Sequence, residues 1–236
     1  MSRGRWAEPG VAEGRIHFQQ ELQLLEEQAL GGLDMVVGML DSALEALAHC
    51  DSELAAIVVT DDDRIDGRYL EVHQGVLSLL ARQAPVAGDL RVVAALLHLV
   101  KHLERVGDQC TNIAKMVPLL GHEPPTDAKI VRSIGAMGAQ ARSQVRQARQ
   151  SFALRDPELA CDLTRQDDML DRLNREIFRR AIEIGGADAD VREWAMSMIL
   201  VARALERIGD NAVDIGEQTV FVVTGLFREM GEDAAR

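Results

Sequence analysis

Apolar residues recur at steps of three and four along almost the whole chain, which is the period of an α-helix and not that of a β-strand. The first such stretch covers about residues 16–50 and stops at Asp51, a residue type that caps helix starts. A second stretch ends before Pro85, which interrupts a helix, and a third covers about residues 89–117. The first half of the chain therefore predicts three long amphipathic helices.

The second half repeats this plan after a linker at residues 119–126. Helices are predicted at about residues 127–154, from Pro157 onward after a capping Asp156, and at about residues 189–227. The short connections favour antiparallel neighbours packed as a bundle. We predict an all-α protein of two tandem three-helix bundles related by internal duplication, at residues 15–118 and 127–228, behind a disordered tail at residues 1–14, where no helical period is present.

An eleven-residue segment that occurs twice ties the two halves together. Residues 103–113 read LERVGDQCTNI, and 102 positions later residues 205–215 read LERIGDNAVDI, so that six of the eleven positions are identical. Each copy falls near the middle of the third helix of its half. A fixed offset over a segment of this length indicates a duplicated half and not a chance match.

The repeated segment places oxygen-bearing side chains four residues apart, which puts them on one face of a helix. Like charges at this spacing repel by roughly 0.2–0.5 kcal/mol per pair on an exposed helix. The arrangement is therefore unfavourable unless cations, arginines or a metal neutralise it. The two ladders consist of Glu104, Asp108 and Asn112 in the first half and Glu206, Asp210 and Asp214 in the second.

These ladders have two interpretations. Apolar residues precede each ladder on its own face, which implies partial shelter, and clustered carboxylate oxygens suit hard cations such as iron, manganese, magnesium or calcium. A solvated acidic surface is the alternative, because charged runs usually face water. Further acids cluster in the second helix of each half, at Asp62, Asp63, Asp66, Asp167, Asp168 and Asp171.

Composition narrows the class of protein. The chain has 236 residues, of which 47% are hydrophobic and only 3% aromatic, which suits a helical protein with a substantial core. A formal net charge of −12 argues against nucleic acid and favours cations or basic protein surfaces as partners. No apolar run reaches the ~18 residues of a membrane span, so we expect a soluble, cytoplasmic protein.

Other chemistry has weaker support. A ferritin-like di-iron centre needs Glu-x-x-His pairs, and the residues three after Glu104 and Glu206 are Gly107 and Gly209. His98 and His102 have metal-ligand spacing, but they lie round the helix from the first ladder, and we interpret them as surface histidines. Without a nucleophile arrangement or a phosphate-binding glycine loop, we expect no enzymatic activity.

With these residues in hand, the chain resembles the PhoU family, the regulators of bacterial phosphate uptake and phosphate-starvation signalling. The resemblance covers about residues 18–227. It rests on the repeated Leu-Glu-Arg-x-Gly-Asp-x-x-x-x-Ile segments, on Ala87-Gly88-Asp89-Leu90-Arg91, on Asp63-Arg64-Ile65-Asp66 and Asp168-Met169-Leu170-Asp171, and on the duplication.

The resemblance implies a multinuclear metal cluster in each half, of iron or else of manganese, magnesium or zinc. The metal-binding motif of the family falls on Glu104 and Asp108 in the first half and on Glu206 and Asp210 in the second. Asn112 and Asp214 follow on the two ladders. Further candidate ligands are Asp63, Asp66, Asp168 and Asp171.

The resemblance also implies a cytoplasmic, homodimeric adaptor without enzymatic activity. Such a protein connects a phosphate ABC transporter ATPase to a sensor histidine kinase, represses the starvation response when phosphate is plentiful, and meets the membrane only through its partners. A carboxylate-bridged di-iron protein and a metal-free helical interaction scaffold remain as alternatives.

Overall fold

The structure is a computed structural model that describes residues 9–121, 123–186 and 188–226, with side chains from residue 14. These ranges contain six α-helices, one short 3₁₀ turn at Val117–Leu119 and no β-strand, which confirms the predicted all-α class. No helix within them combines the length and apolarity that a bilayer span requires. The helices are α1 (Pro9–His49), α2 (Ser52–Arg82), α3 (Ala87–Met116), α4 (Ala128–Leu154), α5 (Pro157–Ile184) and α6 (Ala189–Thr224).

Aspartates fix the starts of several helices. The side chain of Asp51 accepts hydrogen bonds from the backbone N–H groups of the residues two and three positions later, and Asp127 and Asp156 do the same for α4 and α5. These bonds satisfy N–H groups that have no partner inside the helix. At the other end of the chain, Gly225 adopts a left-handed conformation with φ of 77° and ends α6.

The start of α1 corrects the predicted tail. The prediction of disorder at residues 1–14 is wrong for residues 9–14, because α1 already begins at Pro9, while residues 1–8 lie outside the described residues. Proline is tolerated at the first helical position, where its missing N–H would have no partner. Adding residues to the end of an existing helix costs little free energy, because the unfavourable nucleation step has already taken place and each added residue forms a hydrogen bond. Residues without an apolar period can therefore continue α1.

Within each half the three helices run up, down and up. Glu21 of α1 pairs with Arg82 at the end of α2 at 2.5 Å, and Asp127 at the start of α4 pairs with Arg180 near the end of α5 at 2.7 Å. In each half the first and second helices are therefore antiparallel. The third helix then returns parallel to the first. The predicted antiparallel bundles are thereby confirmed in both halves.

The two halves pack against each other through α3 with α6 and α1 with α4. Two arginines of α4 and its C-cap arginine pair with acids of α1, in an order that makes the two helices antiparallel. Arg142 pairs with Asp41 and Arg149 with Asp34, both at 2.8 Å, and the C-cap Arg155 pairs with Glu26 at 2.6 Å. A single hydrophobic core runs through both halves. The repeated segments therefore lie on the two central helices of the molecule.

Candidate functional site

A first carboxylate group lies between α2 and α3. It comprises Glu104 and Asp108 on α3 with Asp62 and Asp66 on α2. Burial raises the pKa of Asp62, and the charges of Asp108 and Asp66 raise it further. The pKa of Asp108 is raised by burial and then by Glu104 and Asp66. The neighbouring carboxylates are thus near enough to Asp62 and Asp108 to disfavour the ionisation of these two groups.

A second carboxylate group occupies the equivalent place between α5 and α6. It comprises Glu206 and Asp210 on α6 with Asp167 and Asp171 on α5. Burial, followed by the charges of Asp210 and Asp171, raises the pKa of Asp167 to about 6. Burial and then Glu206, which is only 8% exposed, raise the pKa of Asp210. The second group is therefore the more sheltered and the more strongly coupled of the two.

Two glycines of the repeated segment let the helices approach at these points. A Cβ atom on Gly107 would lie 3.0 Å from Ile65 Cγ2 and 3.3 Å from Asp62 Oδ1. A Cβ atom on Gly209 would lie 2.9 Å from Asp167 Oδ1 and would also press on Leu170. At Gly209 a side chain would force its neighbours to shift, whereas at Gly107 the neighbours would need to give by only a few tenths of an ångström.

A cation already partners the glutamate of each group. Lys101 Nζ lies 2.6 Å from Glu104 Oε2, and Arg203 pairs with Glu206 in the same way. Both cations precede their glutamate by three residues, so they lie on the same side of the helix. The arginines that directly follow the glutamates, Arg105 and Arg207, are exposed, because adjacent residues point about 100° apart round a helix axis.

Buried polar atoms with unused hydrogen-bonding capacity adjoin the second group. Asp167 Oδ1 and both amide atoms of Gln144 are buried and make no hydrogen bond of ordinary geometry. Gln144 Oε1, like Asp167 Oδ1, would lie 2.9 Å from a Cβ on Gly209, so the two side chains flank the same glycine. Gln144 lowers the pKa of Asp167 only in part, against a larger opposing effect of burial. The Asp167 and Gln144 side chains can therefore each form a further hydrogen bond or contact an ion.

The structure selects among the acids of α2 and α5. Asp66 and Asp171 raise the pKa of other acids in the two groups, whereas Asp63 and Asp168 contribute to none of the raised pKa values. Exposure does not separate them, because Asp66, Asp108 and Asp210 are exposed as Asp63 and Asp168 are. Asp62 and Asp167 take their places, although the family motif had not singled them out. The spacing of four residues from Asp62 to Asp66, and from Asp167 to Asp171, was the available signal, because it repeats the spacing of the ladders on α3 and α6.

The third rungs of the two ladders have different surroundings, and the charge of Asp214 contributes, after burial and Glu206, to the raised pKa of Asp210. Asn112 is exposed, whereas Asp214 Oδ2 lies 3.3 Å from His102 Nδ1, and Asn211 Oδ1 lies 2.9 Å from the same ring nitrogen. The interpretation of His102 as a surface histidine is wrong, because α6 covers it and burial lowers its pKa. Asp214 therefore links α6 to α3 across the interface of the two halves.

The carboxylates do not converge on one point in this conformation. Across the part of the chain that the structure describes, no group of three or more His, Cys, Asp or Glu side chains is arranged to hold a metal ion. Donor type, charge and clustering suit a hard cation, and binding one requires the carboxylates to turn toward it. The assignment of Glu104, Asp108, Glu206 and Asp210 as metal ligands stays a prediction.

Replacing Asp167 by asparagine is expected to stabilise the protein in the presence of a chelator at pH 7, by about 1–2 kcal/mol after allowing for partial exposure to solvent. Asparagine keeps the shape and removes a charge that burial and its neighbours disfavour. Since the folded-state pKa lies above the ordinary value of 3.8, wild-type stability rises as the pH falls from about 6 toward 4. The advantage of the variant should disappear over that range.

Urea unfolding followed by circular dichroism at pH 4, 5, 6 and 7 measures this difference. Asp168→Asn is the matched control, since Asp168 is exposed on the same helix. An equal effect of both substitutions, or an Asp167→Asn effect that does not vary with pH, would contradict the assigned electrostatics.

The chain is similar to known proteins over most of its length. The family model described as the PhoU domain matches the chain twice, at residues 33–117 and 134–219. A phosphate-specific transport system accessory protein PhoU homolog of Clostridium acetobutylicum is 31% identical over 209 residues, which is 88% of this chain and 94% of that protein. A homolog of the same description from Zymomonas mobilis is 34% identical over 83% of this chain and 81% of its own length.

Solved structures agree with these sequence matches. The crystal structure of PhoU from Pseudomonas aeruginosa superposes with a TM-score of 0.82 at 30% identity, over 89% of this chain and all of that one. The phosphate transport system regulatory protein PhoU from Streptococcus pneumoniae also gives a TM-score of 0.82, at 26% identity, over 89% of this chain and 99% of the other. Both halves of the fold are included in each match.

Proposed function

Because this chain belongs to the PhoU family of accessory proteins of phosphate transport systems, we propose that it is a negative regulator of phosphate uptake and of phosphate-starvation signalling. It acts in the cytoplasm, as a homodimer, between the ATPase of a phosphate ABC transporter and a sensor histidine kinase. The observation that carries this proposal is a match over both PhoU domains and nearly the full length of its relatives.

The second part of the proposal is that each carboxylate group holds metal, with iron as the first candidate and manganese, magnesium or zinc as alternatives. A cation would offset the burial of these carboxylates and their mutual repulsion, which in that order raise the pKa of Asp62, Asp108, Asp167 and Asp210. The buried Asp167 Oδ1, which makes no hydrogen bond of ordinary geometry, would then serve as one of its ligands. The residues concerned are Glu104, Asp108, Asp62 and Asp66 in the first group and Glu206, Asp210, Asp167 and Asp171 in the second.

A metal-free adaptor is the second candidate. It is favoured by the ion pairs of Lys101 with Glu104 and of Arg203 with Glu206, which already offset part of the negative charge, and by the lack of convergence among the described carboxylates. Metal analysis of the purified protein separates the two candidates.

Complementation tests the regulatory role. In a bacterium that lacks its own PhoU, a phosphatase reporter of the starvation response is expected to be active even at high phosphate. Expression of this chain should restore repression, and affinity capture from those cells should recover the transporter ATPase and the kinase. A reporter that stays active although the folded chain accumulates to normal levels would contradict the proposal.

A further inference from the structure

The outer faces of α5 and α6 form a groove beside the second carboxylate group, and two of its arginines, Arg175 and Arg203, pair with Asp171 and Glu206 of that group. The volume of the groove is about 410 Å³, and we call it the α5–α6 groove. The floor is apolar and arginines stand on both walls. The residues that matter are Arg175, Phe178 and Arg179 on α5 and Ile199, Leu200 and Arg203 on α6.

Large apolar side chains are exposed along this groove. Phe178 is 51% exposed and Leu200 is 57% exposed. Ile182 and Met196, each four residues from one of them on the same helix, are also exposed and extend the apolar surface along the helix axes. Contiguous exposed apolar surface of this kind marks sites of interaction with other molecules.

The walls of the groove are basic, although the chain as a whole carries a net charge of −12. Arg179 is exposed and has no ion-pair partner among the described residues. Arg175 reaches Asp171 only at 3.4 Å, with a side chain that is largely exposed, and Arg203 pairs with Glu206 while half of its side chain stays exposed. Arg179 is thus available to carboxylates of an incoming molecule, whereas Arg175 and Arg203 divide their charge between the groove and the second carboxylate group.

The internal duplication shows that the fold does not require these residues. Offsets of 105 positions for α5 and 102 for α6 superpose Asp167 on Asp62 and Gly209 on Gly107, which play the same parts in the two halves. By the same offsets Arg175 corresponds to Leu70, Phe178 to His73, Arg179 to Gln74, and Leu200 to His98. The second half therefore has Phe178 and two arginines on α5 where the first half has none of these, while the basic residue on the other wall is shared, since Arg203 corresponds to Lys101.

We propose that the α5–α6 groove docks an amphipathic helix of a partner protein whose apolar stripe is flanked by acidic residues. Helices bind in this way when apolar anchors at three- and four-residue spacing enter a groove and charges pair along its rims. A rod with acids on both sides suits a groove that has Arg175 and Arg179 on one wall and Arg203 on the other. An anionic lipid surface is disfavoured, because a chain of net charge −12 is repelled by it.

Fluorescence anisotropy of the full chain with a synthetic 18-residue helical peptide tests this proposal. The peptide carries leucines along one stripe and glutamates on both flanks. We expect binding that weakens about tenfold with Phe178→Asp and with Arg179→Glu. The first-half substitutions Leu77→Asp and Gln74→Glu, at exposed positions on α2, are matched controls and should change the affinity less than about twofold.

A second peptide, with lysine in place of each glutamate, checks the role of charge. It should not bind the wild-type chain, and Arg179→Glu should improve its binding. Circular dichroism verifies that each variant keeps its helicity, which is expected because Phe178 and Arg179 are exposed.

Three results would overturn the proposal. The first is equal binding of the acidic peptide to the groove and control variants. The second is preferential binding of phosphatidylglycerol vesicles in a sedimentation assay that Phe178→Asp abolishes. The third is a wild-type dimer that Phe178→Asp, but not Leu77→Asp, converts to a monomer in analytical ultracentrifugation, because a second copy would then occupy the groove.

Discussion

Protein purified without chelator is expected to carry metal, and the variant with Glu104, Asp108, Glu206 and Asp210 all replaced by alanine is expected to lose it by more than about 100-fold. These four side chains are the repeated oxygen donors of the two central helices, and each raised pKa in the two groups involves at least one of them. Without them the charge that attracts a cation is largely removed. Elemental mass spectrometry measures the metal content directly.

The chain supplies a matched control for this experiment. Asp63 and Asp168 are acids of α2 and α5 that neighbour the two groups but are exposed and belong to neither. The variant with both replaced by alanine should retain its metal. Equal metal in the wild type and the fourfold variant would contradict the assignment of these four side chains as metal ligands, and no metal in either would favour the metal-free adaptor.

Thermal unfolding gives an independent measure of the same property. A ligand that binds only the folded state at 100 times its dissociation constant stabilises it by about 2.7 kcal/mol. Adding iron(II) or manganese(II) under anaerobic conditions should therefore raise the unfolding temperature of the wild type. The same addition should leave the fourfold variant unchanged.

Replacing Gly209 by valine is expected to lower the free energy of unfolding by about 3 kcal/mol. The new side chain would press on Leu170, and its Cβ would lie 2.9 Å from both Asp167 Oδ1 and Gln144 Oε1. All of these side chains pack between helices and cannot all move aside without opening the contact of α5 with α6. Urea unfolding followed by circular dichroism measures the change.

Gly135→Val is the control for this substitution. Gly135 is also in the interior of a helix, but it is exposed and a Cβ there would meet nothing within 4 Å. The unfolding free energy of this variant should change by less than about 0.5 kcal/mol, because valine has the better helix propensity and no clash. Equal destabilisation by both substitutions would show that the loss at Gly209 comes from the backbone of the helix and not from the close approach of α5.

The periodicity of a single helix explains which parts of the candidate site could be predicted. The spacing of Glu104 and Asp108 puts both on one face of α3 whatever surrounds them, and the same holds for Glu206 and Asp210 on α6. The caps at Asp51 and Asp156 are equally local, since a short aspartate side chain reaches only its own helix start. Features that depend on neighbouring turns of one helix could therefore be predicted from the sequence.

Contacts between helices were harder to predict. Adjacent acids at Asp62 and Asp63 point about 100° apart on α2, and only the rotation of α2 about its own axis decides which of them meets α3. Packing of Ile65 against Gly107 sets that rotation and turns Asp62 inward. The sequence therefore marked both Asp62 and Asp63 as candidates, and nothing in the residue pattern showed which of the two faces α3.

The sequence by itself determined the helical class, the duplication and the two acidic ladders, because these depend on residue spacing along one chain segment. The tertiary structure decided that Asp167 Oδ1 is buried beside Gly209, that His102 is covered by Asn211 and Asp214, and that a groove forms between the outer faces of α5 and α6. Each of these depends on how far one helix is rotated and how closely it approaches the next. Packing of the whole core fixes those quantities, and no single helix encodes them.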